Sequence, residues 1–326
     1  MTQRRLFSCH PELVSGSKPL VIGSHNSVLA QKAARALDCD FITFSNTRFS
    51  DTESNITLEL SDNKNIKISD RSILLFFQFQ SQHAYDGYVT QKSQALNDQL
   101  FDVLLVIQML KKLDAKKISL ILPYLPYARQ EKNANFGHLI KQVGVDELIV
   151  ADMHTERLHA IMSLLLHNIP LTRLWKQVLD KEQENICLVS PDAGGCQRVQ
   201  ALVDVTGYLS AFIKKKRDQD GRPKALELVG DVTGKTVILV DDIVDTAQTA
   251  LSACDFLFEH GAAKVIAYFS HAVLSSDAYE KLKNSRFERI FLSDTLLFDG
   301  SKFDKKFTII SMHDLIIEYL RDIKNI

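Results

Sequence analysis

VILVDDIVDTAQTA, residues 237–250, is the stretch that decides the fold. Four apolar residues, Val237 to Val240, run straight into Asp241 and Asp242. A turn rich in hydroxyl-bearing and small side chains follows, then an Ala-rich apolar segment that reads as a helix. This is the layout of a buried parallel strand, an anion-holding turn and a helix N-terminus. Asp241 and Asp242 stand at the carboxyl end of that strand, where open α/β sheets bind ligands. Thr246 and Thr249 offer hydroxyls, and the backbone N–H groups of the turn face whatever anion lies there. Two acids beside an anion site suit a ribose phosphate, with carboxylates accepting from the 2- and 3-hydroxyls while the turn holds the 5-phosphate. The same residues also fit an ordinary strand-to-helix junction with Asp245 or Thr246 as N-cap.

Working outward, strands and helices alternate. Strands are expected at 20–22, 41–44, 72–79, 118–122 and 147–151, with helices over 26–37 and 97–112 and another after His154. Alternating residues around 55–60 and 65–69 predict a β-hairpin turning at Asp62–Lys64. Residues 81–96 carry no clear period and read as a loop. Beyond these lie strands at 186–189, 207–213, 226–229, 236–240, 265–269, 289–292 and 307–310, and helices over 194–204, 246–260, 276–283 and 312–323. The charged run FIKKKRDQDGRPKA, 212–225, has the composition of an exposed, mobile loop. Strands alternating with helices imply mostly parallel sheets.

A chain of 326 residues is long for one core and fits two domains. The expected division is a tail over 1–18, an α/β domain over 19–168 and a second over 169–326. A formal net charge of −1 argues against an electrostatic nucleic-acid binder. No stretch has the apolar length of a membrane span. Five cysteines, an odd number without metal-ligand spacing, imply a reducing compartment, and the expectation is a cytoplasmic protein.

Four further runs, PYLPYARQEKN (123–133), VADMHTERL (150–158), LVSPDAGG (188–195) and LVGDVTGKTVILVDD (228–242), stand in the order found in ribose-phosphate pyrophosphokinases. The chain resembles that family over roughly residues 19 to 322, and 237–250 resembles the phosphoribosyl-binding loop of its fold. The resemblance implies two tandem phosphoribosyltransferase-type α/β domains with mostly parallel sheets. It also implies transfer of diphosphate from ATP to the 1-hydroxyl of ribose 5-phosphate. By the same resemblance, ATP is held by Phe49, Asp51, Glu53, Arg129 and Gln130, the first three reaching a neighbouring subunit's site in a homo-oligomer. Ribose 5-phosphate is held by Asp241, Asp242, Asp245, Thr246, Ala247, Gln248 and Thr249. Mg²⁺ falls to His154 and Asp192, and Lys215 and Arg217 are the catalytic cations of a flexible arm. ATP and ribose 5-phosphate are the expected partners, with neither nucleic acid nor membrane.

Residue by residue, bland readings stay open: a solvated arginine at 129, a strand start at 49–54, a structural histidine at 154, a solvated charge run at 212–225. Three departures set the chain apart from the family pattern. DTAQT lacks the glycine usual at the positions of Ala247 and Gln248, which leaves three readings of the Gln248 side chain: it crowds the 5-phosphate, points away from it, or donates to it. The segment after Arg129–Gln130 is short, and 81–96 is long. The altered loop and the short segment speak for a second reading, a non-catalytic regulatory relative; a third, a phosphoribosyltransferase that consumes the diphosphate, shares the 237–250 motif but needs no ATP site.

Overall fold

The computed structural model describes residues 18–59, 66–81, 95–129, 135–153, 164–181, 185–217, 223–299 and 303–324. Strands β1 (Leu20–Ser24), β2 (Asp40–Arg48), β3 (Ser54–Glu59), β4 (Ser72–Phe76), β5 (Lys117–Leu122), β6 (Glu147–Ala151) and β7 (Leu165–Ile169) form one sheet. Strands β8 (Ile186–Ser190), β9 (Leu209–Arg217), β10 (Pro223–Val229), β11 (Thr236–Val244), β12 (Lys264–Ala272), β13 (Arg289–Ser293) and β14 (Phe307–Ile310) form another. The helices are α1 (Val28–Ala36), α2 (Leu96–Lys112), α3 (Asn135–Gln142), α4 (Thr172–Leu179), α5 (Cys196–Thr206), α6 (Gln248–Glu259), α7 (Ala278–Lys283) and α8 (His313–Lys324).

The two sheets share one plan. Their orders are β3-β2-β1-β4-β5-β6-β7 and β10-β9-β8-β11-β12-β13-β14, the second being the first displaced by seven strands. Every neighbouring pair is parallel except β2–β3 and β9–β10, which are antiparallel at matching edges. Parallel strands covered on both faces bury every side chain, which is why β11 reads as a continuous apolar run. Along it Val237 and Leu239 enter one core while Ile238 and Val240 enter another, following the two-residue period of a strand. Burying each such side chain contributes about 1.5–3 kcal/mol. The second of these cores is common to both halves: it joins Val21 and Leu74 of the first sheet to Ile238 and Tyr268 of the second, with Trp175 of α4 between.

Two expectations are corrected. Residues 55–59 do not pair with 66–69; β3 pairs back onto β2, residues 66–68 are not strand, and the expected turn at 62–64 lies outside the described residues. The run 212–225 is not loop throughout. Its residues continue β9 to Arg217 and resume in β10 at Pro223, forming an antiparallel ribbon on the sheet edge. Charged side chains are tolerated on such an edge and protect it from stray pairing, so charge alone misreads it as loop. The expected strand 72–79 ends at Phe76. The tail 1–17, the tip 218–222 and most of 81–96 lie outside the described residues.

Candidate functional site

The strand ends β8 and β11 are neighbours at the centre of the second sheet, and a cleft of about 930 Å³ opens at their carboxyl ends. β11 supplies Asp241 and Asp242, the turn supplies Asp245 to Ala247, and α6 opens with Gln248 and Thr249; all seven line the cleft, as does Asp192. Arg129, beyond β5 of the other sheet, also lines it. The predicted ribose-phosphate residues, one predicted metal ligand and one predicted ATP ligand are thus brought into one cavity.

The turn explains the missing glycine. Ala247 has φ +63° and ψ −3°, a left-handed conformation that favours glycine, and it is buried as the residue before α6. Holding a non-glycine residue there costs about 1–2 kcal/mol. The conformation usual for glycine is therefore kept without the glycine. Gln248 is instead the first helical residue and exposed, with its Nε2 donating to Ser252 Oγ at 3.4 Å. The conformationally constrained position of the turn is therefore Ala247, while Gln248 lines the cleft from the first turn of α6. Neither Asp245 nor Thr246 caps the helix.

Asp192 Oδ1 accepts from the backbone N–H groups of Gly194 (2.9 Å) and Gly195 (3.2 Å), which orients the carboxylate at the cleft wall. A Cβ on Gly195 would collide with Ser190 Oγ, so the second glycine permits the close packing of α5 on β8. Asp242 N donates to Asp241 Oδ1 at 3.0 Å. Burial, together with the neighbouring Asp242 carboxylate, pushes the Asp241 carboxyl well above the ordinary carboxylate range. Across the cleft Arg129 Nη1 donates to Asp245 Oδ2 at 2.6 Å. Partial burial opposes the Asp245 charge, but hydrogen bonds from Arg129 and Ser275 and the Arg129 charge together outweigh it and hold the carboxyl below its usual value.

Two functional candidates escaped the sequence reading. Arg198, in the first turn of α5, lines the cleft and lies largely buried, its side chain 13 % exposed, between Asp152 (Nε to Oδ2, 3.0 Å) and Asp242 (Nη1 to Oδ1, 3.7 Å). Burial opposes its charge, yet Asp152, Asp242 and Asp241 hold its pKa above the ordinary arginine value. The available signal was an arginine beside Val199 and Leu202, the buried face of α5. Asp152 stands in the VADMH run itself. The structure also shows that Asp242 is buried and paired, so replacing it with Ala would unbalance Arg198 as well as empty the site.

Other expected site residues lie elsewhere. Phe49, Asp51 and Glu53 form the turn of the β2–β3 hairpin, where Glu53 N donates to Asp51 Oδ1 and Phe49 is 56 % exposed. None of the three lines the cleft of this chain. Lys215 and Arg217 lie on β9, opposite Leu226 and Pro223. Gln130 and His154 are outside the described residues. Among the described residues no cluster of three or more His, Cys, Asp or Glu forms a ready metal cage, and no helix is long and apolar enough to cross a membrane. Cys39, Cys187, Cys196 and Cys254 are free thiols there, and burial pushes that of Cys254 up to about 12.

Two family models match the chain: the N-terminal domain of ribose phosphate pyrophosphokinase over residues 19–153, and the phosphoribosyl synthetase-associated domain over 192–326. The chain is 37 % identical over 233 residues to Ribose-phosphate pyrophosphokinase 4 of Saccharomyces cerevisiae, covering 66 % of this chain and 70 % of that one. It is 30 % identical to the ribose-phosphate pyrophosphokinase of Marinomonas sp., covering 93 % and 94 %, and 30 % identical to that of Bacillus subtilis, covering 93 % of each. The crystal structure of phosphoribosylpyrophosphate synthetase from Mycobacterium smegmatis superimposes with a TM-score of 0.78 at 26 % identity, covering 94 % of this chain and 99 % of that one.

Proposed function

The chain belongs to the ribose-phosphate pyrophosphokinase family, and from that premise we propose that it converts ATP and ribose 5-phosphate to phosphoribosyl diphosphate and AMP. The observation that carries the reading is the shared cleft: paired acids at a strand end and a phosphate-type turn from one half, faced by Arg129 from the other. In the reaction the ribose 1-hydroxyl oxygen bonds to the β-phosphorus of ATP and loses its proton. The bond from that phosphorus to the α–β bridging oxygen breaks, and AMP leaves. Such transfer needs positioning and charge neutralisation more than covalent help.

The residue roles follow from that chemistry. Asp241 and Asp242 accept from the ribose 2- and 3-hydroxyls, and the turn from Asp245 to Thr249 holds the 5-phosphate with its backbone N–H groups. Arg129, with Gln130, grips the nucleotide phosphates. Lys215 and Arg217 act on the transferred phosphates from the β9–β10 ribbon. Phe49, Asp51 and Glu53 serve the adenine of a neighbouring subunit's site in a homo-oligomer. The exposure of Phe49 at a hairpin tip supports that role.

Mg²⁺ fits the donors present. The described cleft wall offers carboxylate oxygens, the ligand chemistry Mg²⁺ prefers, and an ion that keeps waters and binds substrate phosphate needs no protein cage. Asp192 and His154 are the proposed ligands, and when bound the ion neutralises phosphate charge. The division into an ATP-side half, 19–168, and a phosphate-loop half, 169–326, belongs to the same proposal. It is supported by the sheets, the first ending at Ile169 and the second beginning at Ile186.

The test is AMP production from ATP with and without ribose 5-phosphate, in Mg²⁺ and in chelator. Ribose-dependent AMP that vanishes in chelator is expected. ATP cleavage indifferent to ribose 5-phosphate, or none at all, would overturn the reading.

A further inference from the structure

We propose that Arg198 is a positioning residue for the Asp241–Asp242 pair and that Asp152, from the opposite half, sets its place. The proposal rests on the ribose-binding reading of that acid pair.

Asp152 is the first residue beyond β6 and has φ +40°, a conformation non-glycine residues seldom adopt. It is a hub between the halves. Its carboxylate accepts from Arg198 Nε at 3.0 Å and from the Ser270 hydroxyl of β12. Its carbonyl lies 3.2 Å from His271 Nε2. Burial lowers the His271 pKa, so the ring is neutral, and a carbonyl partner places its proton on Nε2. Nδ1 then accepts from the Thr295 hydroxyl, 2.9 Å away. The carbonyl of Ser270 still receives the Ser293 hydroxyl, so this interior network is satisfied.

With Nε committed to Asp152, the guanidinium plane is fixed and Nη1 faces Asp242 Oδ1 at 3.7 Å. A planar fork held at one edge presents its other edge in one direction. Adjacent carboxylates repel one another, and a buried cation beside them offsets that repulsion and orients Asp242 toward the cleft. Arg198 therefore acts on the ribose through Asp242. It has no described contact with Arg129, so its removal should spare the nucleotide grip.

The experiment uses the full chain with Arg198→Met, Arg198→Lys and Asp152→Asn. It reads KM for ribose 5-phosphate, KM for ATP, kcat and thermal midpoint. Arg198→Met should raise the ribose 5-phosphate KM at least about tenfold, the cost of weakening one charged hydrogen bond. The ATP KM should stay within about twofold of the parent value. Arg198→Lys should recover part of the loss, because a point charge reaches one acid but not both. Asp152→Asn keeps an oxygen for Ser270 and Arg198 and should give a smaller rise in the same parameter alone. An unchanged ribose 5-phosphate KM in folded Arg198→Met would overturn the proposal. So would a rise of both KM values in step with a falling thermal midpoint, the signature of a merely structural residue. If Arg198→Met does not fold, Arg198→Lys and Asp152→Asn decide by the same two criteria. If the parent chain binds no ribose 5-phosphate, the functional reading fails and the proposal falls with it. If it binds and the variants match it, only the proposal fails.

Discussion

β4 and β11 occupy the same place in their sheets, yet their carboxyl ends have different fates. Beyond β11 the chain leaves an open cleft lined with acids and a phosphate-type turn. Beyond β4 the equivalent ground is covered by the other half. Gln78 Nε2 donates to Asp294 O at 2.9 Å, Ser81 Oγ to Val273 O at 2.9 Å, and Ser81 N to Leu297 O at 2.8 Å. The residues that follow β6 and β13 differ in the same way. Asp152 and Asp294 each donate their N–H to the end of the neighbouring strand, at Ile169 and Ile310. Asp152 then sends its carboxylate across to Arg198, whereas Asp294 keeps its own at home, accepting from Met312 N and pairing with His313. One plan used twice thus gives one site and one joint. A strand end at a sheet's centre is a place where a ligand can bind, and the loops decide whether a ligand or a partner element takes it.

The two edge hairpins allow the strongest test of this asymmetry. β9–β10 carries Lys215 and Arg217, while β2–β3 carries Phe49 at its turn. If only the second half performs chemistry, Arg217→Ala should cut kcat about 10²–10³-fold with ATP binding near normal, the usual effect of losing a transition-state contact. Steady-state kinetics with both substrates checks this, and an equal loss of binding and turnover would place Arg217 in a static site.

Asp242→Asn attacks the open strand end. Weakening two charged hydrogen bonds, at about 1.5–3 kcal/mol each, should reduce kcat/KM for ribose 5-phosphate about 100-fold or more. Because Asp242 is buried beside Arg198, the thermal midpoint should fall as well. A variant with unchanged kcat/KM would return the open end to the status of a simple helix junction.

Phe49→Ala addresses the other hairpin. An exposed side chain contributes little to stability, so the thermal midpoint should hold. The KM for ATP should rise about tenfold if the ring stacks on a base. Unchanged ATP affinity in a chain that remains oligomeric would remove Phe49 from the nucleotide site.

The smallest expected effect is at Ala247. Ala247→Gly removes left-handed strain of about 1–2 kcal/mol but frees the unfolded chain, so the net stabilisation should be below about 1 kcal/mol. Ribose 5-phosphate affinity should change less than threefold, corresponding to about 0.6 kcal/mol, because the turn already has the glycine-like shape. A large gain in affinity, read by calorimetric titration, would mean that the alanine methyl itself obstructs the phosphate.

Much of this was legible in the residues. The apolar period placed β11, and the paired acids and hydroxyl-rich turn that follow it were read as a site before any fold was known. Elements without a strong period were missed. β7 (LLHNI) carries a polar pair, Asn168 holding Met153 N and His167 pairing with Glu147. In α3 the described burial is confined to Gly137 and Ile140. In α4, Leu174, Trp175, Val178 and Leu179 recur at helical spacing, but its eight residues span only about two turns, too few for a strong period. The β9–β10 ribbon was misread because lysine-rich sequence on a sheet edge has the composition of a loop.

By itself the sequence determined which segments are buried strands, where their carboxyl ends lie, and which acids, hydroxyls and cations stand there. Those properties arise from periodicity and turn chemistry within a few residues of one another. Only the tertiary structure decided that β3 returns to β2, that Ala247 holds the left-handed turn, that Arg129 meets Asp245, and that Asp152 orients Arg198. These depend on contacts between residues as much as 116 positions apart, as for Arg129 and Asp245. No local pattern encodes such a meeting. It arises when both sheets bury their apolar faces in one common core and so bring the ends of their strands together.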